Sequence, residues 1–287
     1  MKKIVWLPSY PKSGNTWTRT FLTNLLDKDG KDEDVINELT APISSSRGWI
    51  DEYLFIESSE FTQDEVEAFL PLAMKQMVKD IEKPPFFFKV HDAYIQTINN
   101  EPMFPAEVSI GAIYIVRNPL DVAVSFAHHN NEAVDMTIEK MADNNYVLAD
   151  NTHTIKQQVR QKLLTWSGHV HSWLQQKEIP VLMVRYEDMI AEPLNTFRKV
   201  VEFSGLSFTD EKISLALGKS SFDKLKTIED KNGFREKSML AKSFFRKGKA
   251  GSWRESLTPE QAQRIIADHR EVMEQLGYLD ADGNPVY

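Results

Sequence analysis

The chain contains no cysteine among its 287 residues, which removes a disulfide framework, a thiolate nucleophile and cysteine-ligated zinc. No apolar run approaches membrane-spanning length, and the one behind the N-terminal lysines, Ile4 to Leu7, is too short for the apolar part of a secretion signal. A cytoplasmic protein is therefore expected. Glycine (12) and proline (13) are too sparse for a collagen-like or disordered chain. Positive charge is also short: 34 Lys and Arg stand against 42 Asp and Glu, a net −8, whereas proteins that coat nucleic acid or anionic membrane present a net basic face. Neither partner is expected, although a local basic pocket is compatible with this balance.

Four short apolar runs read as strands: Ile4 to Leu7, Phe86 to Val90, Ile113 to Val116 and Val181 to Val184. Their continuous apolar character, without alternation, suits strands buried on both faces. Between them lie helical stripes. Thr16 to Leu26 places Trp17, Phe21 and Leu25 four residues apart beside Leu22 and Leu26, and Ile155 to Lys177 repeats the pattern through Val159, Leu163, Trp166, Val170 and Trp173. Pro119 after Asn118, Pro193 with Gly205 beyond it, and Thr258-Pro259-Glu260-Gln261 with Gly277 mark helix ends. Strands alternating with helices imply an α/β fold, a central mostly parallel sheet flanked by helices on both faces. No internal repeat or linker is found, so residues 1–287 are expected to form a single domain.

Directly after the first strand comes Pro8-Ser9-Tyr10-Pro11-Lys12-Ser13-Gly14-Asn15-Thr16-Trp17, with the helical stripe starting inside it. This is a strand, turn, helix phosphate site. Backbone N–H groups at a helix N-terminus favour an anion, Gly14 lets the chain approach closely, and Lys12 supplies a point charge. Ser13, Asn15 and Thr16 add donors. The Walker pattern ends in Gly-Lys-Ser/Thr, whereas here Lys precedes Ser-Gly, so a standard NTPase loop is disfavoured within a P-loop-like architecture.

The string from Tyr10 to Trp17 resembles the 5′-phosphosulfate loop of the cytosolic sulfotransferase family, with Asn15 where Thr is usual. Two further strings agree in order: Ile113 through Arg117 to Ser125 resembles the family's 3′-phosphate strand and helix, and Phe245 to Trp253 resembles its Arg-Lys-Gly loop. Lys89-Val90-His91 resembles the segment bearing the catalytic base, Arg185 to Met189 a Tyr-Glu-Asp segment near the adenosine, and Ser220-Ser221-Phe222 a piece on the adenine side. The landmarks run from residue 8 to 253. The resemblance implies transfer of a sulfuryl group from 3′-phosphoadenosine-5′-phosphosulfate (PAPS) to an acceptor hydroxyl or amine, with adenosine 3′,5′-bisphosphate as product and no metal.

Each piece has a physical reading under that resemblance. Sulfuryl transfer needs an activated acceptor oxygen, an in-line path and cations against charge developing on the leaving phosphate, as in phosphoryl transfer. Lys12 is the candidate for the bridging oxygen, His91 for the base, because an imidazole titrates near working pH, and Lys89, two residues earlier, for support of the sulfonate. A 3′-phosphate calls for a second anion site, to which Arg117, Ser125, Arg246, Lys247 and the Gly248 N–H are suited. Trp17 fits either a stack on adenine opposite Phe222 or the apolar stripe of its own helix, Tyr186 can hydrogen-bond the ring, and Trp253 is read as packing behind the Arg-Lys-Gly loop. Lys12, His91, Arg117 and Tyr186 all come at or just past the C-terminal end of a buried run, the edge where open parallel sheets bind ligands.

The remaining polar clusters are set aside. His128-His129 and His169 with His171 lack metal-ligand spacing and read as solvated helix faces, and Asp27 to Glu38 reads as an exposed connector. Past Trp253 the family's dimer segment is not matched, Arg254, Thr258, Pro259 and Gln263 standing in its places, so monomer and homodimer both stay open. The acceptor pocket falls to residues 31 to 83, 92 to 109, 130 to 153 and 227 to 244. Their Trp49, Tyr53, Phe55, Phe61, Tyr146, Phe234 and Phe244 permit a small apolar or aromatic acceptor. The competing readings are a nucleotide-dependent kinase, which would need Mg²⁺, and a non-catalytic adenosine-bisphosphate binder, which would need no base.

Overall fold

A computed structural model of the chain describes residues 2–27, 34–150, 154 and 156–287. In chain order the elements are β1 (Ile4–Pro8), α1 (Asn15–Leu26), α2 (Arg47–Leu54), α3 (Gln63–Met77), β2 (Phe86–Val90), β3 (Ser109–Val116), α4 (Pro119–Asn130) and α5 (Val134–Ala142). There follow β4 (Val147–Leu148), β5 (Gln161–Lys162), α6 (Trp166–Gln175), β6 (Val181–Arg185), α7 (Tyr186–Ala191), α8 (Pro193–Phe203), α9 (Asp210–Lys219), α10 (Phe222–Asn232) and α11 (Pro259–Gln275).

The sheet runs β2-β1-β3-β6, a parallel sheet flanked by helices, with Val5 of β1 opposite Phe87 of β2 and Gly111 of β3. A central parallel strand has neighbours on both sides and helices over its faces, so all five residues of β1 are buried, as its unbroken apolar run requires. Trp6, fully buried there, donates its indole N–H to Ser109 Oγ at 2.7 Å, which satisfies the polar atom that comes with so large an apolar side chain. The edge of β2 is covered by chain: Lys89 N–H donates to Pro42 O at 2.8 Å, and Ser44 N–H to Lys89 O at 2.9 Å. β6 departs from the expectation of burial on both faces. It is an outer strand, only Val184 of its five residues is buried, and Met183 is 38% exposed.

Two compact units can be distinguished. The first comprises residues 1–10, 41–114 and 144–183; the second comprises 11–40, 115–143 and 184–287. In the first unit, Tyr94, Phe104, Tyr114 and Trp173 form an aromatic core, Phe104 and Trp173 having ring centroids 4.9 Å apart. In the second unit, Val35, Ile36, Leu225, Phe234 and Phe245 form a buried cluster against which Trp17, Phe222 and Phe244 pack.

Helix starts follow the caps in the sequence. Asn118 Oδ1 accepts from Leu120 N–H ahead of α4, Thr258 and Gln261 form a full capping box on α11, and Gly205, with φ 71°, lies just past the end of α8. The helix expected from Ile155 is shorter: α6 begins at Trp166 behind Thr165, whose hydroxyl accepts from Gly168 N–H at 2.8 Å. Val159 and Leu163, which carried the apolar period upstream, are buried from irregular and ribbon chain around β5; Ile155 lies outside the described residues. The supposed connector Asp27 to Glu38 is likewise not all exposed, since Val35 and Ile36 enter the core of the second unit; 28–33 lie outside the described residues.

Candidate active site

In the second unit, the turn into α1 is conformationally unusual. Lys12 has φ 70° and Gly14 φ 108°, both left-handed, the first in a residue with a side chain, a cost that persists where surroundings over-determine it. Gly14 is the N-cap of α1, so the helix start has no side-chain cap, and no acidic residue sits in the first turn. A Cβ on Gly14 would lie 2.7 Å from Tyr186 Cδ2. The Ser13 hydroxyl is buried with no hydrogen-bond partner among the described residues. Uncapped N–H groups, a buried hydroxyl without a protein partner and the Lys12 charge together fit a bound phosphate-type anion.

Arg117, the residue after β3, organises the rest of this unit. Its guanidinium donates to Lys12 O at 3.3 Å and to Lys249 O at 3.1 Å, lies 4.3 Å from the centre of the Tyr186 ring and stands 3.6 Å from Asp121. It thus ties the Lys12 turn to the chain just past Arg246-Lys247-Gly248. Its Nε is buried and has no partner among the described residues. Asp121, one helical turn on, accepts from Gly251 N–H (2.8 Å), Ser252 Oγ (3.0 Å) and Trp253 N–H (2.9 Å). Asp121 belongs to no motif of its own in the sequence, and its only signal there is its place four residues beyond Arg117, in the first turn of α4.

The cations around this loop are crowded. Arg246 is held below the usual guanidinium range by burial and then by the positive charge of Arg117, while Asp121 and Glu255 oppose that. Burial, with Arg246, Lys12 and Lys242, pushes the half-buried His128 down as well. Like charges gathered so closely that they lower one another favour a bound anion. Lys247 is paired with Glu255 at 2.6 Å, and Gly248 faces Phe222 so closely that a Cβ would sit 2.4 Å from the ring. Ser221 occupies the N-cap position of α10 ahead of Phe222 without a side-chain cap bond, and Ser125 lies half-buried on α4. Trp17 packs against Tyr186 and Phe197 at 6.0 and 5.6 Å, and its indole N–H is buried without a partner among the described residues. Lys12 Nζ lies 3.7 Å from the centroid of Phe244, and Trp253, buried, donates to Tyr287 O at 3.0 Å, as packing behind the loop requires. Phe234 belongs to the buried core cluster of this unit rather than to an accessible wall.

In the first unit, His91 directly follows β2 and is half-buried, while Lys89 lies within the strand. His91 Nδ1 is 2.9 Å from Ser9 O. The turn carrying it is strapped from two sides: α6 brings His169 Nε2 to 3.1 Å from His91 O and the Trp173 indole N–H to 2.9 Å from Asp92 O, and Lys162 N–H donates to Asp92 Oδ1 at 3.0 Å. Asp92 is buried, and loss of solvation raises its carboxyl to about 8 against the pull of the Lys162 N–H. His169 is fully buried, a correction to its reading as part of a solvated face, because the period of α6 points it inward with Val170 and Trp173.

The sequence resembles known proteins over almost its full length. A model described as a sulfotransferase domain matches residues 2–277. Sulfotransferase 1A1 of dog (Canis lupus familiaris) is 26% identical, with 94% of this chain and 83% of the relative covered, and cytosolic sulfotransferase 16 of Arabidopsis thaliana is 27% identical, with 96% and 77% covered. Among solved structures, a mouse sulfotransferase complexed with PAP aligns with a TM-score of 0.58 at 22% identity, covering 95% of this chain and 85% of that one. Retinol dehydratase in complex with androsterone and inactive cofactor PAP aligns at 0.61 and 20% identity, with 94% and 80% covered, a likeness of fold. No described helix is long and apolar enough to cross a membrane.

Proposed function

Because the chain belongs to the sulfotransferase family, whose domain spans residues 2–277, we propose that it transfers a sulfuryl group from PAPS to the hydroxyl or amine of a small-molecule acceptor. The observation that carries this reading is the Arg117 guanidinium, which ties the Lys12 turn to the Arg-Lys-Gly loop within one unit, so that two anion-suited loops are held as a pair. A nucleotide phosphorylated at both 5′ and 3′ positions needs such a pair; ADP does not.

The donor, when bound, supplies an activated sulfuryl group on a 5′-phosphate. Lys12, Ser13, Gly14, Asn15 and Thr16 would hold the 5′ end, with Lys12 against the oxygen that leaves. Arg117, Ser125, Arg246, Lys247 and the Gly248 N–H would hold the 3′-phosphate, and Trp17, Tyr186, Ser221 and Phe222 the adenosine. Release of Lys247 from Glu255 frees its charge for that task. His91 takes the acceptor's proton and Lys89 supports the sulfonate.

Two features support reading residues 1–287 as one sulfotransferase domain: the match is unbroken, and each unit is drawn from three separated stretches of chain. The kinship with relatives named as cytosolic supports a cytoplasmic place. Titration calorimetry tests the donor reading: adenosine 3′,5′-bisphosphate should bind at least about 10-fold tighter than ADP, since one charge-assisted contact is worth about 1.5–3 kcal/mol. Equal affinities would remove the second anion site. Turnover of PAPS that persists in EDTA separates this reading from a Mg²⁺-dependent kinase.

A further inference from the structure

A histidine base must present its lone pair on the nitrogen that meets the acceptor, and the partner of the other nitrogen decides which one that is. His91 Nδ1 faces the Ser9 carbonyl oxygen at 2.9 Å. A carbonyl only accepts, so Nδ1 carries the hydrogen and the lone pair lies on Nε2. Neutral imidazole in water prefers the opposite arrangement, so this tautomer depends on the Ser9 contact and on whatever holds the His91 turn against it.

That peptide is held by α6. His169 Nε2 stands 3.1 Å from His91 O, and one turn later the Trp173 indole N–H donates to Asp92 O. By the same rule His169 Nε2 bears the hydrogen, so its Nδ1 is the acceptor for the Tyr114 hydroxyl, 2.8 Å away. The reverse tautomer would set two lone pairs against each other at His91 O. Tyr114 and His169 are both fully buried, and the Tyr10 ring closes the imidazole edge-on at 5.5 Å between centroids. Burial also keeps His169 neutral, its pKa pushed down to about 4. All of these residues lie in one unit.

We propose that His169, oriented by the Tyr114 hydroxyl, is a positioning residue that fixes the His91 turn and thereby keeps His91 in the tautomer whose Nε2 accepts the acceptor's proton. The inference rests on the reading of His91 as the base.

The test is ¹⁵N NMR of histidine-labelled full-length protein saturated with adenosine 3′,5′-bisphosphate, beside turnover of PAPS with 2-naphthol as acceptor probe. Wild type shows His91 protonated at Nδ1. In His169→Leu and Tyr114→Phe the His91 signals move toward a tautomer mixture and kcat falls by up to about 10²-fold, the scale of a small misplacement, with the affinity for adenosine 3′,5′-bisphosphate unchanged. His169→Gln, whose amide can donate to the same carbonyl, recovers most of kcat. Unaltered His91 signals in Tyr114→Phe, which removes one oxygen and decides the matter even where His169→Leu does not fold, overturn the proposal. Full turnover in His91→Gln would instead defeat the base reading itself, and the tautomer spectra would still report on His169 separately.

Discussion

At Gly14 a single absent carbon governs both the path of the chain and what can approach it. The left-handed φ and the Tyr186 ring 2.7 Å from a Cβ position leave no room for any side chain. Gly14→Ala is expected to cost about 1–3 kcal/mol of stability, the usual scale of such backbone strain, and to weaken adenosine 3′,5′-bisphosphate binding in calorimetry. Asp92 makes the opposite kind of residue-scale statement. Its carboxyl, raised by burial from 3.8 to about 8, keeps its proton in the folded state when the unfolded chain has lost it. That contribution is full below pH 3.8 and is lost as pH rises through about 8. Urea unfolding should therefore show a smaller fall in stability between about pH 6 and 8 for Asp92→Asn than for wild type, with Glu67 and Lys162 unchanged beside it. Equal slopes would place the proton elsewhere.

At the scale of elements, the loop that follows Arg246-Lys247-Gly248 hangs from one carboxylate on α4. Asp121 collects the N–H groups of Gly251 and Trp253 and the Ser252 hydroxyl. Asp121→Ala should speed amide exchange at Gly251 and Trp253 and weaken adenosine 3′,5′-bisphosphate binding, because three donors lose their acceptor and Arg117 loses its counter-charge. Unchanged exchange at those two amides would mean that other contacts shape the loop. How far these elements were legible follows from the same physics. The strands β1 and β2 stood out because continuous apolar runs have few other meanings, and α11 because Thr258 and Gln261 announce its start. The start of α6 was hidden, since Val159 and Leu163 are buried from a non-helical stretch at a spacing that imitates a helix. Residues that serve through backbone atoms were hidden as well. His169 reaches His91 through a carbonyl, and Asp121 reaches its loop through N–H groups, so neither leaves a pattern of side-chain types to read.

For the molecule as a whole, buried titrating groups on opposite sides of neutrality shape stability. His169 and His269 are both pushed by burial to about 4, so what they contribute is present above the unfolded value of 6.5 and lost as pH falls toward about 4. Asp92 erodes stability from the other direction, up to about 8. Unfolding midpoints should therefore be highest near pH 6.5 and decline on both sides, and His269→Asn, far in sequence from the base, should shrink the acid-side decline alone. A midpoint that rises steadily through pH 8 would contradict this balance. The broad architecture was legible because alternation of strand and helix constrains topology strongly; the grouping into two units was not, since no linker, composition shift or glycine-rich stretch marks their borders.

That interleaving of stretches decides how the protein can be taken apart. With three separated pieces of polypeptide contributing to each unit, no single cut releases either one whole. A protease nick between residues 11 and 183 leaves two fragments that each hold portions of both units, so recovery of activity after such a cleavage would come from the fragments reassociating, and dividing the gene within that span yields no module that could be shuffled onto another protein.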